Sequence, residues 1–177
     1  MIKFASELIL KPVIMKREHA LVGIVEDLVM NPDNGELVGI LVREGFGKKN
    51  LKTLATKDII SITTDYYLIS EYESLGELDE IVRVKKVLEL GIKLVGSKVV
   101  TVLGIVLGRV RDYTVNTKSL HLDKLYVDQG VFRPLARELL ISFPQIVSIE
   151  KDVVTVADAS IKETKAVRGQ LPETATG

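Results

Sequence analysis

Apolar and polar residues alternate along much of the chain with the two-residue period of a half-buried β-strand. In the segment 59–69, "IISITTDYYLI", Ile60 and Ile62 share one face before a polar pair, and Tyr67 and Ile69 share a face after it. This pattern predicts a tight hairpin. Only "ASEL" and "KKVLEL" indicate one or two helical turns. The sequence therefore predicts an all-β fold of short strands.

A second hairpin is predicted between Val22 and Gly45, "VGIVEDLVMNPDNGELVGILVREG", where two apolar runs flank a turn. Pro32 fixes φ at the turn, and Gly35 tolerates the positive φ that hairpin turns require. Gly39 lies inside the returning strand, where a glycine weakens pairing unless the strand bulges. We therefore expect a β-bulge beside Gly39.

The same hairpin pattern occurs twice in the sequence. A constant offset of 85 residues aligns the hairpin with "LGRVRDYTVNTKSLHLDKLYVDQG", and the matched pairs are Gly23/Gly108, Asp27/Asp112, Asn31/Asn116, Leu37/Leu122, Val42/Val127 and Gly45/Gly130. Gly39 aligns with Lys124, where the alternation of the second copy also slips, so a bulge is expected in both copies. The hairpin at 59–69 repeats as "IVSIEKDVVTV" at an offset of 87. A repeat of this length predicts two similar units.

The fold prediction is two small β-barrels in tandem with short helical turns. We expect a first barrel with an acidic connector at 1–80, a second, divergent barrel at 81–158, and a disordered tail at 159–177. One core gives little stability in a unit of about 70 to 80 residues. We therefore expect the barrels to dock on each other or on a second chain.

Composition removes several kinds of chemistry. The chain has no Cys, which excludes disulfides, thiolate nucleophiles and Cys-based zinc sites. Glu7 interrupts the apolar N-terminal run, and no apolar run approaches ~20 residues. Neither a signal peptide nor a membrane span is expected, and the sequence predicts a cytoplasmic protein.

Charge is uneven although the formal net charge is +0. The connector 71–80 has five acidic and no basic residues, whereas 81–158 has twelve basic and eight acidic residues. The candidate partner-binding site is a basic patch formed by Arg83, Lys85, Lys86, Arg109 and Arg111. Two interpretations stay open: an anionic partner, or a solvated face that pairs with the acidic connector.

Other residues were weighed for catalysis or metal binding. Asp27 and Asp112 are carboxylates, but equivalent positions in two copies are not expected both to face one substrate. An Asp near a strand end is expected to accept turn amide hydrogens. The remaining candidates each lack the rest of a motif: the calcium-like turn "NPDNGE", His19, His121, Ser61, Ser148 and the glycine-rich "GFGKKN". The sequence therefore predicts no catalytic, cofactor-binding or metal site.

The first unit resembles the PRC-barrel family in three stretches: "ASELILKPV" at 5–13, "VGIVEDLVMNPDNGELVGILV" at 22–42 and "LATKDIISI" at 54–62. The second unit is similar but more divergent, since it keeps "LGRVRDYTVN" and "IVSI" and loses the Asn-Gly turn. The resemblance implies a compact barrel of about six strands in each unit. Such barrels occur in the cytoplasmic part of the photosynthetic reaction-centre H subunit and at the C-terminus of a ribosome-maturation protein.

The resemblance implies a non-enzymatic intracellular adaptor that binds protein and needs no cofactor. The alternative is an RNA- or ribosome-associated factor that uses the basic second barrel. A protein partner is expected, while nucleic acid and homo-oligomers stay open. The two functions differ in one measurable respect, because RNA binding weakens steeply with salt.

Overall fold

The computed structural model describes residues 1–45, 50–130, 138–157 and 162–163. The strands are β1 Ile2–Phe4, β2 Pro12–Met15, β3 Leu21–Met30, β4 Leu37–Arg43, β5 Leu51–Ala55, β6 Ile59–Ile62, β7 Tyr67–Ile69, β8 Leu75–Gly76, β9 Lys98–Thr101, β10 Val106–Asn116, β11 His121–Asp128, β12 Leu139–Ser142, β13 Ile146–Glu150, β14 Val153–Val156 and β15 Lys162–Glu163. The α-helices are α1 Ala5–Leu8 and α2 Val82–Glu89. The predicted all-β class is confirmed, and helices stand at both predicted places.

The strands form two curled sheets with one topology. The first sheet has the order β6-β7-β2-β3-β4-β5-β8, and the second has the order β13-β14-β9-β10-β11-β12-β15. In each sheet one pair is parallel, β2 with β7 and β9 with β14, and the other neighbours are antiparallel. The two halves of the chain therefore repeat strand order and strand direction.

Irregularities in the strands repeat as well. Four β-bulges of the first sheet return in the second at offsets of 85 or 87 residues, and the extra residues are Val22/Leu107, Glu26/Arg111, Val38/Asp123 and Ile60/Val147. The bulge expected beside Gly39 is confirmed at Val38, and the one expected beside Lys124 is confirmed at Asp123. Each bulge bends its strand and turns one side chain away from the regular alternation.

The two halves meet through their equivalent turns. The Leu37 amide donates to the Leu120 carbonyl at 2.7 Å, and the Leu122 amide donates to the Gly35 carbonyl at 2.8 Å. These two bonds are related by the repeat offset, so the contact is a pseudo-two-fold one. Between them lies an isolated antiparallel bridge from Glu36 to His121.

The N-terminal strand β1 pairs with the sheet of the second half. β1 pairs with the end of β10, with Phe4 opposite Thr114, and the Phe4 ring packs against Tyr126 with centroids 4.8 Å apart. One continuous core of buried apolar residues then runs from Ala5 to Val156 through both sheets. The expectation that the two units pack on each other is confirmed, while their division into two separate barrels stays a prediction.

A smaller apolar cluster holds α2 against the outside of the first sheet. The bulge residue Val38 points outward and packs with Val29 and with Val84 of the helix. At the equivalent bulge the second half has Asp123, which accepts a hydrogen bond from Thr114 Oγ1 at 3.3 Å. An apolar residue is needed only where a helix covers the bulge.

The connector and the tail differ in part from expectation. Glu77 of the connector pairs with Lys52 of the first sheet, and among the described residues no ion pair joins the connector to the five basic candidates. Two residues of the predicted disordered tail, Lys162–Glu163, pair with β12 as β15. The rest of the tail lies outside the described residues, and the boundaries at 80 and 158 stay predictions. No helix in the described parts of the chain is long and apolar enough to cross a bilayer.

Candidate functional site

The five basic candidates lie on two different elements. Arg83, Lys85 and Lys86 are on α2, which packs on the first sheet through Val84. Arg109 and Arg111 are on β10 of the second sheet, and both are exposed. Arg83 lines a groove on the first half, whereas Arg111 lines a cleft between the halves. Their role in binding a partner stays a prediction.

Three of these cations have partners within the protein. Arg83 forms an ion pair with Glu36, and Arg111 forms one with Glu138. Arg109 donates to the Gly96 carbonyl at 2.8 Å. Exposed pairs of this kind contribute only ~0–1 kcal/mol each, so a strongly charged partner could displace them.

A groove of about 790 Å³ lies on the first half. The buried side chains of Val38, Ala55 and Leu75 form its apolar floor. The connector and the first turn of α2 form the walls, where Val82 is 63 % exposed. The groove therefore combines an apolar floor with a rim that solvent reaches.

The rim of this groove is acidic. Its carboxylates are Asp58, Glu71, Glu73 and Glu80, against the cations Lys57 and Arg83. Because Arg83 is already paired with Glu36, the potential that a ligand meets is negative. An extended segment with Lys or Arg and an aliphatic side chain matches this groove in charge and in polarity.

The second cavity, of about 330 Å³, lies between the two halves. Asp27 and Asp112, which are equivalent in the repeat, both line it. The pseudo-two-fold contact brings equivalent positions of the two sheets together, so both carboxylates line one cleft. That they do not act on one substrate stays a prediction. Lys93 and Arg111 also line the cleft.

Each aspartate also has a local structural task. Asp27 Oδ1 accepts the Leu28 amide hydrogen at 2.8 Å, and Asp112 Oδ1 accepts the Tyr113 amide hydrogen at 2.8 Å. Both follow the bulge residues of their strands, where the ladder leaves amides without a partner. Asp112 Oδ2 accepts from Ser6 Oγ at 2.6 Å. These residues thus accept backbone amide hydrogens as expected, but at bulges inside strands and not at turns.

Burial raises the pKa of two side chains that line the cleft. It raises the pKa of the Asp27 carboxyl, although the Leu28 amide and the charge of Lys93 act in the opposite direction. Burial also raises the pKa of Tyr113, and the nearby charges of Asp27 and Asp112 raise it further. Tyr113 therefore stays a neutral phenol.

The other sequence candidates have ordinary surroundings. In "NPDNGE" the Asn31 and Asn34 side-chain oxygens accept the amides of Asp33 and Glu36, both at 3.0 Å, so they serve the turn. His121 Nδ1 lies 2.6 Å from the Ser119 carbonyl. Within the described ranges no group of three or more His, Asp or Glu is placed to hold a metal ion. Residues 46–49 of "GFGKKN" lie outside the described residues.

The sequence interpretation missed an apolar hairpin tip on the second half. The turn between β9 and β10 exposes Val102, Leu103, Ile105 and Val106 by 53, 75, 57 and 54 %. The run from Thr101 to Gly108 contains no charged residue, which is a signal that the sequence carries. The equivalent turn of the first half, "KREHA" at 16–20, is polar.

Comparison with protein families gives one match. Residues 1–81 match the family model described as the PRC-barrel domain, which covers the first sheet and ends just before α2. No curated protein matches the chain. The family match does not extend over the second half, so the likeness of that half rests on its repeated strand order and bulges.

Proposed function

We propose that this chain is a non-enzymatic, intracellular adaptor whose first half binds a basic segment of a partner protein. The observation that carries the proposal is the groove of about 790 Å³ with an apolar floor and an acidic rim. Peptide grooves of this type take an aliphatic anchor on the floor and charged side chains on the rim. The match of this half to the PRC-barrel domain supports a binding module of the same kind.

The test is a peptide selection on the intact chain. We expect a random peptide library to yield sequences that combine Lys or Arg with an aliphatic residue. Glu71→Lys combined with Glu73→Lys should weaken their binding by about tenfold or more, because two exposed rim carboxylates become cations. Peptide affinity is read by fluorescence anisotropy.

A matched control makes the same change of charge at two positions outside the groove. Glu18→Lys with Asp65→Lys alters two exposed carboxylates of the same half, and peptide affinity should stay the same. Equal losses in both double variants, or no enrichment of basic peptides, would contradict the proposal.

The alternative function is RNA or ribosome binding by the basic second half. The ion pairs of Arg83 and Arg111 with carboxylates reduce the net positive charge of this surface, although each pair contributes only ~0–1 kcal/mol. Anisotropy with a labelled single-stranded RNA decides between the two. RNA binding would be favoured if RNA affinity falls steeply with salt and if Arg109→Ala lowers the number of counterions released on binding by about one.

A further inference from the structure

The hairpin tip between β9 and β10 is a preformed apolar projection. Gly104 adopts φ +81°, and a side chain there would meet no atom within 4 Å, so the tip stands clear of the rest of the protein. Leu103, beside it, is 75 % exposed. Exposed aliphatic side chains clustered at one projecting point mark a contact surface.

Four backbone amides of this tip are bonded within the protein. Thr101 and Ile105 are joined twice: the Thr101 amide donates to the Ile105 carbonyl at 2.9 Å, and the Ile105 amide donates to Thr101 Oγ1 at 3.3 Å. The Gly104 amide donates to the Thr101 carbonyl at 2.8 Å, and the Val102 amide donates to Val156 at 3.0 Å. Polar backbone groups that are bonded internally can enter a medium without water at little cost.

The first half provides an internal comparison. Its equivalent turn makes the equivalent bonds, from the Met15 amide to Ala20 and from the Lys16 amide to Ile69, both at 2.9 Å. That turn nevertheless exposes Lys16, Arg17, Glu18 and His19. The turn geometry therefore does not require aliphatic residues, and their presence in the second half needs another reason.

The size and shape of the tip favour a lipid bilayer over a second protein as its binding partner. The exposed aliphatic area of the tip is on the order of a few hundred Å², below the ~800 Å² per partner that a stable dimer buries. Two projecting tips that meet end to end would bury still less. A bilayer surrounds an inserted tip on all sides and asks for no complementary shape.

We propose that Val102, Leu103, Ile105 and Val106 insert into the surface of a lipid bilayer and dock the second half on a membrane. The tip carries no charge, so insertion depends on aliphatic burial and not on anionic headgroups. This binding goes beyond the proposed function, because the tip shares no residue with the lining of the groove on the first half.

The experiment measures flotation of the intact chain with vesicles of neutral phosphatidylcholine. Leu103→Lys with Ile105→Lys should weaken partitioning by about tenfold or more, because two inserted side chains gain charge. Leu10→Lys with Leu21→Lys is the matched control, since these leucines are 70 and 65 % exposed on the first half. The control should bind vesicles as the unaltered chain does.

A second readout reports insertion directly. The chain has no Trp, so Leu103→Trp introduces a single tryptophan whose emission can be excited selectively. Its emission should shift to the blue with vesicles, and lipids brominated on the acyl chain should quench it. Absence of vesicle binding by the unaltered chain, or equal losses in the control, would overturn the proposal. A dimer in solution that only the Leu103/Ile105 variant loses, without a change in vesicle binding, would overturn it in favour of a second copy.

Discussion

At the scale of single residues, the equivalent turns at Gly35 and Leu120 keep the same backbone conformation although their sequences differ. Leu120 stands where the first half has Gly35 and adopts φ 57° against 71° for the glycine. A non-glycine residue in this region costs on the order of 1 kcal/mol. The Leu120 carbonyl accepts the Leu37 amide hydrogen, and the Leu120 side chain packs against the core. These contacts hold the turn in place.

Gly35 is restricted by the other half as well as by its own φ. A Cβ at this position would lie 2.7 Å from the Phe143 ring of the second half. We expect Gly35→Ala to lower the free energy of unfolding by about 2 kcal/mol or more, since strain and overpacking add. Gly91→Ala is the control, because Gly91 has φ +63° and open space around it. It should cost about 1 kcal/mol. Equal costs in chemical denaturation would contradict the contact with Phe143.

At the scale of elements, one bulge explains why α2 lies where it does. The bulge turns Val38 out of the first sheet, and an exposed valine there would cost burial free energy. α2 covers it with Val84, which is fully buried. The helix in turn forms one wall of the groove, so the bulge positions the proposed binding site.

Val84→Ala tests this dependence. We expect a loss of about 1–2 kcal/mol of stability from the removal of two buried methyl groups, together with faster amide exchange along α2. Val82→Ala makes the same chemical change at a position that is 63 % exposed on the same helix, and it should change stability by less than about 0.5 kcal/mol. Similar losses for the two variants would show that Val84 does not anchor the helix.

At the scale of the whole molecule, the halves are interlocked. β1 crosses into the second sheet, the two turns exchange backbone hydrogen bonds, and one core spans both sheets. The contact between the turns is isologous, which is the relation that a two-fold dimer of identical subunits shows. The chain is therefore built as a fused dimer with one exchanged strand.

This arrangement predicts a single cooperative unfolding transition. Calorimetry of the intact chain should give equal van't Hoff and calorimetric enthalpies. The piece 82–177 alone should not melt cooperatively, because it lacks β1 and the Gly35 turn. Adding the piece 1–81 should restore the transition. Two separate transitions in the intact chain, or a cooperative melt of the isolated piece, would contradict the prediction.

Much of the fold followed from the repeat, because the offset of 85 residues carries strand order, bulges and turns from one half to the other. The relation between the halves did not. A three-residue strand such as β1 has too few positions to show its partner, and no periodicity indicates that Asp27 and Asp112 share a cleft. The uncharged run at 101–108 was readable, but only a comparison with the polar turn at 16–20 gives it meaning.

The exchange of β1 has a consequence for synthesis. Phe4 leaves the ribosome first, yet its partner Thr114 follows 110 residues later. At about 5–20 residues per second, this delay lasts on the order of ten seconds. During that time the strands of the first sheet can pair with one another. β1 stays unpaired, because β10 has not yet been synthesised. Pairing of β1 is therefore a late step in the folding of this chain.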